Sequence, residues 1–326
     1  MPPRKSLQEN LDALNSLAAD GNRAETVNQL KKALSGANNI LIARAAEISG
    51  RQMLTELAPD LGECFMRLIP KPPASDKQCL AKYAIVEALQ ALEFDDPDVF
   101  LAGLHHVQME PVYGGQADTA ADLRGECALA LGRMGYSDVF FEVSPLLMDP
   151  EPQPRKMAAR VFGAIHSETG ELLLRMKVMA GDRDLSVMAE CLAALMQNNP
   201  ERSLDFVAAF LDRENEELAE SAALALGESR YPEALKRLID AYEDSAEPRK
   251  KMMLLLPIGL NRSDQAFDFL LDILNNDHEE KAIAALRSLR FFVSLESRRQ
   301  QIEAALEDRA DPKLIQMYRS EIVSSA

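Results

Sequence analysis

The residues best suited to chemistry lie in one segment, HHVQMEPVYGGQAD at 105–118. This segment holds two of the four histidines of the chain and combines imidazole, amide, carboxylate and phenol groups. Such groups offer hydrogen-bond donors and acceptors together, so they could bind a peptide or a small anion. We therefore predict a partner-binding site in this segment and in the arginine that follows it: His105, His106, Gln108, Glu110, Tyr113 and Arg124.

Two interpretations of this segment stay open: it binds a partner, or it is a structural loop that packs against the next helix. A metal site is a weaker third interpretation, because adjacent histidines on a helix point about 100° apart and rarely bind one ion. Gly114 and Gly115 permit a positive φ. Thr119 and Asp122 resemble a capping box, which predicts that a helix begins beside the loop.

A group of basic residues nearer the C-terminus is a second candidate site, for an anion. Its alternative interpretation is a solvated face whose cations pair with nearby Glu and Asp. The members of this predicted anion patch are Arg249, Lys250, Lys251, Arg287 and Arg290.

The four cysteines argue against a zinc ribbon or a disulfide framework. None forms a CxxC pair, and they stand at Cys64, Cys79, Cys127 and Cys191. We predict that all but Cys64 lie on buried helix faces in a reducing compartment, where they act as small apolar residues. Neither a metal nor another cofactor is expected.

The charge of the chain restricts its partners. It carries 36 Lys and Arg against 52 Asp and Glu, a net charge of −16. The excess is concentrated in residues 91–230, which hold 11 basic and 25 acidic side chains. This surface repels phosphate backbones and disfavours nucleic acid as a partner, whereas a basic protein would suit it.

The sequence has no apolar run of about 18 residues, so no membrane association is predicted. It begins MPPRKSLQEN, which lacks the apolar core of a signal peptide. We therefore expect a cytoplasmic location.

An internal repeat sets the fold. Eight helical segments align, with spacings of 31–43 residues, so that one column is small in seven of eight cases. A small side chain recurring in this way indicates a close crossing of two helices. The column reads Ala45, Ala84, Cys127, Ala158, Cys191, Ala222, Leu254 and Ala285.

An acidic residue recurs in the turn before most of these helices. Asp suits such a turn because its side chain can accept hydrogen bonds from free N–H groups at a helix start. The turn residues are Asp118, Asp149, Asp182, Asp212, Asp244 and Asp277. We predict an all-α fold of about eight to nine helical hairpins in a single domain, 1–326, with a cap helix within 1–25 and an inserted loop at 105–118.

These residues resemble the HEAT-repeat family, in particular its short bacterial HEAT-like repeats, over roughly 25–320. The most specific features are a turn Asp followed six positions later by Arg, as in Asp118 with Arg124 and Asp149 with Arg155. The resemblance implies a right-handed α-solenoid with ladders of Asp and Arg between hairpins. It also implies that the second helices line a concave surface of the kind that commonly binds proteins.

Several HEAT-like enzymes offer alternative functions. Deoxyhypusine hydroxylases bind iron through several His-Glu pairs, whereas this sequence has one, His278-Glu279. HEAT-like DNA glycosylases need a basic, aromatic surface, and this chain has no Trp. We therefore predict a non-enzymatic protein-interaction scaffold that uses an acidic concave groove and the 105–118 loop. The alternative is a HEAT-like enzyme or maturation factor, such as a phycobilin-lyase-like protein or a chaperone for a cofactor protein.

Overall fold

The computed structural model describes residues 6–17 and 23–322, and helices dominate both stretches. Within the predicted cap at 1–25, the structure has a helix at Leu7–Leu17, and residues 1–5 and 18–22 lie outside the described part. The α-helices are α1 Leu7–Leu17, α2 Arg23–Leu34, α3 Asn39–Arg51, α4 Ala58–Leu68, α5 Leu80–Ala91, α6 Pro97–Leu104, α7 Ala121–Arg133, α8 Val139–Val143, α9 Pro152–Ala164, α10 Glu168–Ala180, α11 Leu185–Asn198, α12 Pro200–Ala208, α13 Glu216–Glu228, α14 Pro232–Asp244, α15 Pro248–Asn261, α16 Asp264–Asn276, α17 Glu279–Leu289, α18 Glu296–Arg309 and α19 Pro312–Met317.

The chain forms two compact units, Met1–Val161 and Phe162–Ala326. In the first unit the second helices of successive hairpins stack in the order α3, α5 and α7, and α2, α4 and α6 stack beside them. In the second unit α11, α13, α15 and α17 stack in the same way. The prediction of an all-α fold built from repeated helical hairpins is therefore confirmed, and the single-domain organisation stays a prediction.

Every residue of the predicted small column is buried. Neighbouring second helices approach so closely that a side chain has no room at several glycines. A Cβ on Gly163 would lie 2.9 Å from the Cα of Ala194, one repeat later. Similarly, a Cβ on Gly132 would lie 3.0 Å from Cγ1 of Val161. Each unit is thus held together by close contacts between consecutive repeats, because no single hairpin can bury its own apolar face.

Four of the six predicted turn aspartates, Asp118, Asp149, Asp182 and Asp277, accept a backbone N–H just after them, whereas Asp212 pairs with Lys250 instead. Asp149 Oδ1 accepts the N–H of Glu151 at 2.8 Å, and Asp182 Oδ1 accepts the N–H of Asp184 at 2.8 Å. Cys64, the one cysteine that was not predicted to be buried, is buried in α4, and its thiol donates to the carbonyl of Leu34 at 3.2 Å. Burial raises the pKa of this thiol. All four cysteines of the chain are buried.

The inserted segment contains a β-hairpin rather than an irregular loop. Strands β1 (Met109–Val112) and β2 (Gly115–Asp118) pair antiparallel, with Met109 opposite Asp118 and Val112 opposite Gly115. Gly114 has a φ of +88° in the turn, which a residue with a side chain rarely adopts. The only β-structure in the described residues is therefore an insertion between two helical repeats.

Candidate functional site

The base of the hairpin rests on a buried ion pair. Asp76 lies in the turn before α5, and its carboxylate accepts the backbone N–H groups of Ala81 (2.9 Å) and Lys82 (3.1 Å). The Lys82 ammonium lies 3.1 Å from Oδ2 of the same Asp76, and both side chains are at most 1% exposed. A buried charge needs such a partner because of the large cost of removing it from water.

Gln108 joins the hairpin to this ion pair. Its amide oxygen accepts a hydrogen bond from the Lys82 ammonium at 2.8 Å, and its amide nitrogen donates to the carbonyl of Asp76 at 2.8 Å. Gln108 is itself buried. The hairpin and α5 therefore share one satisfied polar network, which holds the hairpin in a fixed position.

Glu110 extends the network along β1. Its Oε1 accepts the N–H of Gln78 (2.6 Å), the amide of Gln108 (2.7 Å) and the hydroxyl of Thr119 (2.7 Å). Burial opposes ionisation of Glu110, but these hydrogen bonds outweigh it and lower the pKa. The predicted capping box was wrong: α7 begins after Ala120 without a side-chain cap, because the Thr119 hydroxyl is engaged with the hairpin.

Arg124 ties the end of the hairpin to the next repeat. Its guanidinium donates to Asp118 at 2.6 Å, to the carbonyl of His106 at 3.0 Å, and through two nitrogens to Asp149 at 2.9 and 3.0 Å. Arg155 then donates to the carbonyl of Asp149 at 2.8 Å. The resemblance implied such an Asp–Arg ladder, and it is present here in the first unit.

The charged state of Asp118 is favoured in this setting. Burial alone would raise its pKa, but hydrogen bonds from the N–H groups of Ala120 and Gln108 and from Arg124 lower it. Asp118 therefore stays anionic and paired, and it is not free to receive an outside ligand.

The two predicted histidines lie apart. His105 is exposed, and its Nε2 lies 2.9 Å from Glu142 in α8. His106 is half-buried, and burial followed by the nearby Lys82 lowers its pKa. Within the described residues no group of three His, Cys, Asp or Glu side chains is arranged to hold a metal ion.

Tyr113 differs from the other predicted site residues because it is fully exposed at the tip of the hairpin. Val107, Met109 and Val112 are also exposed apolar residues on the same insertion. The predicted residues therefore separate into an anchored base, to which Gln108, Glu110 and Arg124 belong, and an apolar tip. Val112 and Tyr113 lie at the turn, and we call them the hairpin tip, whereas Val107 and Met109 lie at the other end of β1, where Met109 pairs with Asp118.

Sequence reasoning missed three members of the base: Asp76, Lys82 and Thr119. One signal could have found the first two. Lys82 follows Asp76 by six residues, which is the spacing that links Asp118 to Arg124. Lysine was not expected in a buried position, because its ammonium is almost always solvated.

The second helices of the first unit carry a row of carboxylates. Glu47, Glu87 and Glu126 lie on α3, α5 and α7, and we call them the acidic row. Partial burial, and then the charges of Glu126 and Glu47, raise the pKa of Glu87. Burial, and then the charges of Glu126, Glu87 and Asp122, raise the pKa of Tyr83 to about 12. These groups repel one another, so a cation placed among them would be stabilised.

The predicted anion patch already has internal partners at the start of α15. The Lys250 ammonium lies 2.6 Å from Asp212, and that of Lys251 lies 4.8 Å from the centre of the Tyr242 ring. Arg249 is exposed beside them. The adjoining cleft, of about 400 Å³, has five acidic and three basic side chains in its wall, which disfavours an anion.

The other two members of the patch lie at the end of α17. Arg287 Nε is 3.5 Å from Glu321, and the Arg290 guanidinium lies 4.8 Å above the Phe291 ring. Four of the five cations thus have an acidic or aromatic partner within their own unit. Anion binding by this patch stays a prediction.

Comparison with known proteins identifies the repeats. Residues 172–256 match the family model of HEAT repeats. The complex of CpcE and CpcF of phycocyanin lyase from Nostoc sp. PCC7120 contains a chain similar in structure, with a TM-score of 0.38 and 15% identity, over 89% of this chain and 97% of that one. An engineered protein aligns with a TM-score of 0.34 and 15% identity, over 99% of this chain and 93% of its own.

No curated protein matches the sequence. In the described residues, no helix combines the length and the apolar character needed to span a membrane. The family match falls on α10 to α15, where the paired helices and the buried small column are also observed. Residues 172–256 of this chain are therefore HEAT repeats.

Proposed function

We propose that this chain is a non-enzymatic interaction scaffold of the HEAT type, in which the inserted hairpin docks a protein partner. One observation carries the proposal: Tyr113 is fully exposed at the end of a hairpin whose base is closed by buried polar contacts. Exposed apolar residues gathered on one element of a folded protein are typical of an interaction site, and Val107, Met109, Val112 and Tyr113 are all exposed on this insertion.

The anchoring favours binding because it lowers the entropic cost of association. A two-stranded hairpin alone is marginally stable in water. Here Gln108 and Glu110 fix it to the helical repeats, so a partner would meet a preformed element. Preorganisation of this kind increases affinity without any additional contact.

The acidic row gives the proposal a second surface. Glu47, Glu87 and Glu126 would attract a basic stretch of the partner, in line with the net charge of −16. Such an attraction between exposed charges would mainly speed association and would weaken as salt is added.

The test is affinity capture with the full chain as bait. Wild type, Tyr113→Ala and the matched control Leu295→Ala, another exposed apolar residue, would be compared by quantitative mass spectrometry. We expect at least one protein to fall by about tenfold or more with Tyr113→Ala and to stay unchanged with Leu295→Ala, the size of effect that a central aromatic contact gives. If every captured protein stays at the wild-type level with Tyr113→Ala, the hairpin is not the docking element.

A further inference from the structure

We infer that Tyr113 enters an apolar pocket of the partner protein and that carboxylates on the rim of this pocket pair with Lys77. The inference rests on the proposed function and adds the chemistry of the partner's surface. It comes from three observations: the protruding turn of the hairpin, the exposed apolar side chains of the insertion, and the sign of an exposed charge at the base of the hairpin.

The tip is a protrusion, so its complement is a cavity. The turn between the two strands is short, since Val112 pairs directly with Gly115. Leu80 adds another exposed apolar side chain near the base, two residues after Gln78, whose N–H binds Glu110. An aromatic residue with apolar neighbours on a narrow tip fits a desolvated pocket, which is where aromatic residues contribute most to binding.

An exposed charge at the base of the hairpin is opposite in sign to the net charge of the chain. The two carboxylates of the strands are already occupied: Glu110 accepts three hydrogen bonds, and Asp118 pairs with Arg124. Lys77 is exposed next to Gln78, and its charge helps to lower the pKa of Glu110. Within the described residues Lys77 makes no salt bridge, so its ammonium is available to a carboxylate on the partner.

A membrane surface is the competing ligand for an exposed apolar hairpin with a lysine at its base. Anionic lipid would meet one nearby cation but also a chain with a net charge of −16, most of whose excess lies in residues 91–230. That repulsion favours a protein pocket over a lipid headgroup layer. The acidic row would pair with positive charge on the same partner, whereas Lys77 would pair with negative charge.

The test uses a photo-cross-linking phenylalanine analogue at position 113 of the full chain, in cells that express it. We expect a cross-link to a protein peptide that contains apolar residues together with Asp or Glu. Lys77→Glu should lower the yield of this product by about fivefold or more, because it replaces an attraction with a repulsion. The matched control is Lys236→Glu, at another exposed lysine, which should keep the yield.

Other outcomes would overturn the inference. A cross-link to a Lys- or Arg-rich peptide, a yield that Lys77→Glu leaves unchanged, or a cross-link to phospholipid would each contradict it. Sedimentation with phosphatidylcholine–phosphatidylserine vesicles checks the lipid alternative, and we expect the protein to stay in the supernatant. If capture still depends on Tyr113 but Lys77→Glu has no effect, the proposed function stands and this inference fails. If neither cross-link nor Tyr113-dependent capture is found, both fail.

Discussion

Arg124 and Asp149, from consecutive repeats, form two parallel hydrogen bonds of 2.9 and 3.0 Å. The guanidinium is 4% exposed and the carboxylate 8%. The same arginine also binds Asp118 at the end of the hairpin. This single side chain thus links the insertion to the repeat that follows it.

Arg124→Lys should lower the free energy of unfolding by about 2 kcal/mol. A lysine ammonium keeps the charge but cannot make the paired contacts to Asp149 while also reaching Asp118. Urea unfolding followed by circular dichroism measures the change. Arg133→Lys, at an exposed arginine of the same helix, should change stability by less than about 0.5 kcal/mol. Equal effects of the two substitutions on the free energy of unfolding would show that the Asp–Arg ladder does not stabilise the fold.

Lys82→Met should destabilise the protein by about 3 kcal/mol, because it leaves the buried carboxylate of Asp76 without its counter-ion. The double variant Asp76→Asn with Lys82→Met should recover part of this loss, since it removes the uncompensated charge. Denaturant unfolding of the two variants measures the difference. A double variant that is less stable than Lys82→Met alone would contradict this account of the ion pair.

Gly163→Ala should lower the free energy of unfolding by about 1–3 kcal/mol, because the new Cβ would meet the backbone of Ala194. Gly115→Ala is the matched control, since a Cβ there has no atom within 4 Å and the φ is not positive. Gly115→Ala should leave the free energy of unfolding nearly unchanged. Thermal melts of both variants test whether α9 and α11 cross closely at Gly163.

Glu87→Gln should raise the Tm slightly at pH 7. The pKa of Glu87 is raised in the folded protein, by burial and then by Glu126, so the folded state holds this proton more tightly than the unfolded chain does. The contribution of Glu87 to the free energy of unfolding therefore falls as the pH rises through and above the ordinary carboxyl pKa. The advantage of Glu87→Gln should disappear once the pH falls below the ordinary carboxyl pKa, about 4.3.

The control for this pH dependence is Glu307→Gln, at an exposed glutamate of α18. We expect its melting temperature to follow that of the wild type across the same pH range. A constant difference between Glu87→Gln and wild type at every pH would show that the glutamate acts through packing rather than charge.

The repeat architecture could be predicted from the sequence because its signal is periodic. Ala158, Cys191 and Ala222 recur at a nearly constant spacing, and a close helix crossing is the simplest cause of such a column. The turn aspartates were found in the same way. Each of these features depends on residues close together in the chain, and each recurs several times.

The hairpin and its anchor could not be predicted as well. Strands of four residues leave almost no alternating pattern, and β1 contains Pro111, which strands usually exclude. Gln108, just before β1, donates to the carbonyl of Asp76, 32 residues earlier. Contacts of that range leave no local signal. The sequence identified the inserted segment, but Gln108, Glu110 and Arg124, which it assigned to ligand binding, make contacts within the fold.

The most direct test of a preformed docking hairpin is hydrogen exchange at its backbone amides in the protein without a partner. The N–H groups that join Val112 to Gly115 and Glu110 to Ala117 should exchange much more slowly than in an unstructured peptide, because the buried network at Asp76 and Lys82 holds the strands together. Lys82→Met should speed this exchange and leave that of α13 unchanged. Exchange at the rate of an unstructured peptide in the wild type would contradict the account, because the insertion would then be a flexible loop.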